Sequence, residues 1–394
     1  MEPVNDCPIC GGRDVRPLNH YGPRCLVGDY HIISGHVENV WCGRCGAGWN
    51  RLMMSDEELA QFYAGYTKKV ASADEDDLLF SVAAAEAETL TASQTKFLAA
   101  HIDAPSGRIL DIGCGKGAFL RSFRDHRPNW HFVGIEPSRE EAELARRDGQ
   151  LEVHEGMLGS THSERESFDL VSIMHVFEHV PRPIETLRQM RELLKPGGML
   201  FIEVPNTSDL NMFYDLLLFE HLFHFTPETL AWLLSREGFE VVVHERSTAY
   251  GAQRLIARKA DRSNPLSWPE LTMAEGFARW QRLWSSMSQL AALGATAAQS
   301  GQRVGIFGAG MTAATWLVHT PLSDAPLVGL FDESQWKIGQ TLFERQIHAL
   351  SDIRAHQLDR VLVATMPNSQ RLVKQKLSAA CDGRTAIEGF GEVA

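Results

Sequence analysis

The chain has 394 residues, 44% hydrophobic and 22% charged, with a formal net charge of −12. That length accommodates two or three domains with their own cores, and the composition is that of an ordinary globular protein. The negative balance argues against general binding to nucleic acid or an anionic membrane, no run approaches the ~20 apolar residues that span a bilayer, and no N-terminal segment reads as a signal peptide, so the expected address is cytoplasmic.

Four of the seven cysteines form two pairs, Cys7-x-x-Cys10 and Cys42-x-x-Cys45, each followed by a glycine, Gly11 and Gly46. Two thiolates separated by two residues can grip one ion from a tight turn, and the glycine takes the awkward backbone angle after the second ligand. The expected occupant is a tetrahedral Zn2+, structural because four protein ligands leave no open position. A redox pair or an iron–sulfur site is disfavoured, since neither pair lies in a βαβ pattern. Cys25 and Cys381 read as buried thiols. Residues 1–66 form this expected zinc-binding domain. Asp56-Glu57-Glu58-Leu59 and the aromatic group Phe62, Tyr63 and Tyr66 predict a short helix leaving it. The acidic, Ala-rich stretch 71–90 reads as a solvated turn followed by a helix.

The next region is more telling. Ile109-Leu110-Asp111-Ile112-Gly113-Cys114-Gly115-Lys116-Gly117 runs from a strand into alternating glycines, just before the helical Ala118-Phe119-Leu120. Glycines let a backbone approach a ligand closely, and the helix start offers free N–H groups. The following strand, His131 to Ile135, ends in Glu136, a carboxylate placed to take a ribose diol. The stretch from Ser167 to Val180 reads as a buried strand with polar groups at its carboxyl end, then a helix through Ile184, Leu187, Met190, Leu193 and Leu194. Lys195-Pro196-Gly197-Gly198 breaks that helix, and Met199 to Val204 is the next strand.

As an ordered set, from the Asp-x-Gly-x-Gly-x-Gly loop to the Lys-Pro-Gly-Gly turn, roughly residues 85–260 resemble the core of class I S-adenosylmethionine-dependent methyltransferases. The resemblance implies an α/β fold with a central doubly wound seven-stranded sheet over residues 67–260, including a hairpin of Phe239–Val243 with Arg254–Ala257. It implies that Asp111, Gly113 and Gly115 line the donor, that Glu136 takes its ribose, and that His175 contacts the methionine moiety or the acceptor. Met157 and Leu158 would sandwich the adenine; a plain packing role is the other reading.

Residues 261–300 read as a helical linker carrying a packing stripe of Trp280, Leu283, Trp284, Met287 and Leu290. A second strand–glycine–helix unit starts at Val304-Gly305-Ile306-Phe307-Gly308-Ala309-Gly310, with Asp332 after the following strand. With fewer than a hundred residues, 301–394 is expected to be half of a Rossmann-like nucleotide-binding fold, serving either as a nucleotide site or as a structural lobe.

The whole order resembles the zinc-containing, three-domain deoxysugar C-methyltransferases. Asp332, Lys337 and Gly339 match that family's Asp-x-x-x-x-Lys-x-Gly segment, and Glu220-His221 followed by Phe225 matches its Glu-His pair, whose histidine is proposed as general base. The sequence departs where the acceptor would lie. Leu218 replaces a tyrosine, Gly251-Ala252-Gln253 replaces a Gly-Gly-Ser turn, and the Tyr-rich segment is reduced to Tyr63, Tyr66 and Ala71-Ser72-Ala73.

A histidine titrates near neutrality and can take a proton from an acceptor. His221 leads, with His179 and His224 behind it, and Glu220 is expected to orient substrate, because adjacent residues on a helix do not face each other. The reading is therefore methyl transfer to a small-molecule acceptor: a nucleotide-linked sugar or a natural-product or capsule precursor. O- or N-transfer to a non-sugar molecule and a non-catalytic zinc-and-nucleotide scaffold are the alternatives. The expected cofactors are S-adenosylmethionine and Zn2+, with no nucleic-acid or membrane partner and a monomeric or homodimeric state.

Overall fold

The computed structural model describes residues 2–64, 89–147, 149–159, 165–262, 264–268 and 273–390. The expected contributions of Tyr66, the Ala71-Ser72-Ala73 tract, the acidic run at 74–77 and the alanines at 83–85 lie outside those residues.

The N-terminal region is built on strands β1 (Val15–Tyr21), β2 (Val37–Cys42) and β3 (Gly48–Asn50), with a hairpin of Arg24–Leu26 and Ile32–Ser34 between the first two. Helix α1 (Asp56–Ala64) leaves it, as the Asp-Glu-Glu start predicts. Helix α2 (Leu90–His101) opens the next layer, its first turn capped by the Thr89 hydroxyl, which accepts the Ala92 N–H.

A seven-stranded sheet follows. Its strands are β4 (Gly107–Ile112), β5 (Trp130–Glu136), β6 (Glu152–Glu155), β7 (Phe168–Met174) and β8 (Leu194–Pro205). Helices α3 (Ala118–His126), α4 (Arg139–Arg146) and α5 (Pro183–Leu193) connect them. A two-residue strand, β9 (Phe223–His224), and helix α6 (Pro227–Arg236) precede the hairpin of β10 (Phe239–Glu245) and β11 (Ala252–Lys259). The order across the sheet is β6-β5-β4-β7-β8-β11-β10. The first five of these are parallel and the last two join antiparallel, so the sheet is mixed. Strand order reverses between β4 and β7, where the carboxyl ends open a crevice, the usual ligand position in such sheets. Register places Asp111 beside Ser172, and Met174 beside Glu203.

Helix α7 (Met273–Gln299) runs 27 residues and buries Trp280, Leu283, Met287 and Leu290, while Trp284 is half-buried against the same core. The Trp280 indole N–H donates to the Phe213 carbonyl at 2.7 Å. The C-terminal region contains β12 (Val304–Phe307), α8 (Met311–His319), β13 (Gly329–Asp332), β14 (Thr341–Leu342), β15 (Arg345–Ala349), β16 (Arg360–Val363), α9 (Gln370–Ala380) and β17 (Ala386–Glu388). These strands form one six-stranded sheet in the order β14-β15-β13-β12-β16-β17, parallel except for the β14 edge, which is more sheet than the half-fold the sequence suggests.

The cores cross the segment boundaries read from sequence. One packs Cys7, Cys42, Cys45 and Trp49 with Leu110, Ile173, Phe177 and Phe225. Another packs Leu18, Leu26 and Trp41 with Leu216, Leu290 and Val304. Strand β9 joins the N-terminal sheet, pairing Phe223 with Trp49 and His224 with Gly48.

Candidate active site

The glycine loop after β4 turns as its residues demand. Gly113, Gly115 and Gly117 have φ of 72°, 52° and 84°, a region that side chains rarely adopt. A Cβ on Gly113 would lie 2.4 Å from Val176 Cγ2, so this glycine also lets the β7 end pack against the loop. Helix α3 starts at Ala118 with no side-chain cap on its N-terminus. Glu136, 6% exposed, closes the turn: Oε2 accepts the Gly115 N–H at 2.9 Å and Oε1 accepts the Ser138 N–H at 2.7 Å. Asp111 is buried and accepts the Ser172 hydroxyl at 2.7 Å; burial pushes its carboxyl up to about 7 against the pull of that hydrogen bond. Met157 and Leu158 are half-buried against the core. Cys114 is buried beneath the loop.

The ends of β7 and β8 carry a buried polar network. His175 takes a left-handed φ of 53°, a strain characteristic of functional sites, and its N–H donates to the Glu203 carbonyl at 2.8 Å. Its Nε2 lies 3.1 Å from Glu203 Oε1, and its Nδ1 3.6 Å from Glu178 Oε1. Burial pushes His175 down, yet the two carboxylates overcome this and lift it to about 10. Glu203 also accepts from Gln94 at 2.7 Å and from the Tyr250 hydroxyl at 2.9 Å, with the Arg254 guanidinium 3.7 Å away.

The histidine cluster lies alongside. His179 and His221 stand ring to ring at 4.9 Å. The Tyr63 hydroxyl and His179 Nδ1 are 2.6 Å apart, and burial pushes that imidazole down to about 3, so it is neutral. Nδ1 of His221 is 2.7 Å from Asp215 Oδ1, and Nδ1 of His224 is 3.1 Å from Asp215 Oδ2. Burial opposes charge on His221, but Asp215 holds it above the ordinary value; Asp215 itself is held below its ordinary value by the two histidines despite its burial. Glu220 points elsewhere. It lies in a non-helical stretch, its Oε1 accepts the Gly28 N–H at 2.6 Å, and burial raises its carboxyl. The expectation that helix geometry separates Glu220 from His221 therefore rests on the wrong element; the partner that sequence reasoning missed is Asp215.

Of the sequence candidates, the structure brings His175, His179 and His221 into one cluster at the sheet's carboxyl edge, and Asp111, Gly113, Gly115 and Glu136 into one loop. Glu178, Glu203, Asp215, Tyr250 and Arg254 were not singled out. Two left a signal: Glu203 closes an apolar strand, and Asp215 is the lone acid in the apolar stretch from Leu210 to Leu218.

At the N-terminus, Cys7, Cys10, Cys42 and Cys45 offer sulfur atoms all within 4.8 Å of one another. Gly11 and Gly46 have φ of 67° and 74°, and a Cβ on Gly12 would come within 3.1 Å of Cys10 Sγ, so the cradle is shaped by glycines. Four converging thiols are the donor set of a structural Zn2+ site.

Residues 84–244 match the model of a methyltransferase domain. They are a class I S-adenosylmethionine-dependent methyltransferase domain. The domain is 31% identical over 140 residues to the ubiquinone biosynthesis O-methyltransferase of Neisseria meningitidis serogroup C, covering 34% of this chain and 58% of that protein. The C-methyltransferase NovU of Streptomyces niveus is 24% identical over 274 residues, covering 65% of this chain and 61% of that protein. The chain thus spans little more than half the length of such relatives. Among solved structures, the mitomycin 7-O-methyltransferase MmcR matches with a TM-score of 0.37 and 22% identity, covering 43% of this chain and 53% of that one. A methyltransferase from Mesorhizobium loti matches with a TM-score of 0.36 and 20% identity, covering 41% of this chain and 96% of that one. Among the described residues, no helix is long and apolar enough to cross a membrane.

Proposed function

We propose that this chain methylates a small-molecule acceptor, with S-adenosylmethionine as donor and His221 as general base. The observation that carries the reading is the placement of the His179–His221 pair beside the carboxyl ends of β7 and β8, with His221 backed by Asp215. Asp111, Gly113, Gly115 and Glu136 hold the donor, which supplies an already activated methyl group. His175, fixed between Glu178 and Glu203, offers a positive charge beside that loop. Because the methyl is activated in advance, the protein has two tasks: alignment, and removal of one proton from the acceptor. Asp215 on Nδ1 selects the tautomer of His221 whose Nε2 carries the lone pair. Tyr63 and neutral His179 orient the acceptor, and Glu220 braces the segment through Gly28.

The finer reading is a nucleotide-linked acceptor, such as a sugar, methylated at carbon. It is supported by the length of the likeness to NovU and by two hollows, one between the C-terminal region and the N-terminal hairpin and one within the C-terminal region. One, about 650 Å³, is lined by Tyr30, His31 and residues Gly339 to Phe343. The other, about 500 Å³, is lined by Asp332, Ser351 and Arg354 among others. Zn2+ on the four cysteines is part of the same proposal, as a structural ion.

Calorimetric titration with S-adenosylhomocysteine, then with nucleoside diphosphates on the complex, tests both levels. Binding of the first is expected, and its absence would sink the methyltransferase reading; a nucleotide response supports the nucleotide-linked acceptor, and silence removes it. In an acceptor panel with labelled donor, His221→Asn is expected to lower kcat by about 100- to 10,000-fold with S-adenosylhomocysteine affinity unchanged.

A further inference from the structure

Glu178, His179 and His221 each offer one ligand atom, all within 4.8 Å of one another, at a distance in sequence from the cysteine cluster. Glu178 is 1% exposed, yet among the described residues neither carboxylate oxygen has a hydrogen-bond partner, and neither does Nε2 of His179. The His175 imidazole at 3.6 Å faces its charge, but a buried carboxylate without hydrogen bonds is costly and calls for an explanation. Its near neighbours are imidazoles: Nδ1 of His175 at 3.6 Å and Nε2 of His179 at 3.9 Å.

The outer ring of a metal site is already in place. Asp215 holds Nδ1 of His221, and the Tyr63 hydroxyl holds Nδ1 of His179. Ligating histidines characteristically donate the second ring N–H to such partners, which turns the Nε2 lone pair toward the ion. Two imidazoles and one carboxylate form a borderline donor set that suits Zn2+ or Co2+ and leaves an open coordination position. Around an ion bound at about 2.1 Å, ligand atoms stand roughly 3 to 4 Å apart. The 3.9 Å between Glu178 and His179 already meets that spacing, and the other two pairs lie within 4.8 Å.

We propose that Glu178, His179 and His221 bind one divalent transition-metal ion, Zn2+ by preference, and that this ion occupies the nitrogen needed for proton removal. The second half rests on the reading of His221 as general base: a metal-loaded site is a silenced methyltransferase. Binding exchanges three water ligands of the hydrated ion for Glu178, His179 and His221, releases to solvent any proton on the ligating nitrogens, involves no change in oxidation state, and leaves Nε2 of His221 without a lone pair for the acceptor's proton.

The test uses the full chain, supplied first with one equivalent of Zn2+ and then titrated with Co2+ alone. One equivalent of Co2+ is expected to give visible d–d absorption without the intense thiolate charge-transfer band that cobalt on cysteines produces. Two paramagnetically shifted imidazole N–H signals, one per ligating histidine, are expected in the same sample. Glu178→Gln is expected to weaken Co2+ binding by about 100-fold or more, and Asp215→Asn, acting through His221, by about 10- to 100-fold. Absence of the second equivalent, absence of shifted imidazole signals, or unchanged uptake by Glu178→Gln would each overturn the proposal. S-Adenosylhomocysteine binding in the same samples reports on the methyltransferase reading separately; its loss with the cobalt signal intact would strike that reading and leave the metal site standing.

Discussion

In the methyltransferase sheet, Glu136 at the end of β5 accepts the Gly115 N–H at 2.9 Å; in the C-terminal sheet, Asp332 at the end of β13 accepts the Ala309 N–H at 2.8 Å. The two loops are closed by the same device, an acid from the next strand fastening the glycine turn. Their surroundings differ. Beside the first loop, β7 and β8 end in the His175–Glu203 pair. Beside the second, Asp332 turns its other oxygen to the Glu333 and Ser334 N–H groups and faces the Lys337 ammonium at 3.6 Å. A glycine turn with a following acid therefore specifies a shape, and the neighbouring strand ends decide what chemistry the shape serves.

Substitutions can break that parallel. The largest effect is expected at Gly113, where alanine combines a strained φ with a clash against Val176. Gly113→Ala should weaken S-adenosylhomocysteine binding by about 100-fold or more, whereas Gly310→Ala, whose Cβ meets nothing within 4 Å among the described residues, should leave binding and melting temperature unchanged. Next come the acids. Glu136→Gln should weaken the same binding by roughly 10- to 100-fold, since hydrogen bonds to a charged acceptor contribute about 1.5–3 kcal/mol. Asp332→Asn should not alter it; equal losses in the two variants would show that the second loop also serves the donor.

The smallest effect concerns pH. Burial places Asp111 at about 7 in the folded state, above the ordinary value of about 3.9, so the folded state holds a proton that the unfolded state has released. Its contribution to stability is full below the unfolded value and is lost as pH rises through the folded one. Melting temperature should therefore decline between pH 4 and pH 7 by more in the native chain than in Asp111→Asn, and equal slopes would contradict that assignment.

The strands of the parallel sheet were legible because apolar runs end in Asp111, Glu136 and the polar residues after Met174, whereas the sheet they form was implied only by the resemblance to class I methyltransferases. The terminal hairpin was legible for the same reason. The partners of the histidines were not. Asp215 reaches His221 and His224 only because residues 210–217 coil as a short helical turn beneath them, and nothing in local spacing predicts that fold-back. Glu220 illustrates the converse: its position next to His221 invited a shared role, but the backbone turns its carboxylate toward Gly28. Chain adjacency was informative within strands and misleading in the irregular segment after β8. The size of the C-terminal sheet was missed because its extra strands, such as Thr341–Leu342, are too short to show a period.

Strand β9 pairs with β3, and the Thr229 hydroxyl donates to the Cys45 carbonyl at 3.0 Å. The N-terminal sheet is therefore finished by a strand the ribosome delivers long after the cysteines have emerged. Until residues 223 and 224 are made, β3 has no partner on that edge, and the pairing that covers it also fixes the segment that carries His221 and His224. A methyltransferase domain cut out at its sequence limits would leave that join half made, with Trp49 gone from one side and the histidine segment adrift on the other.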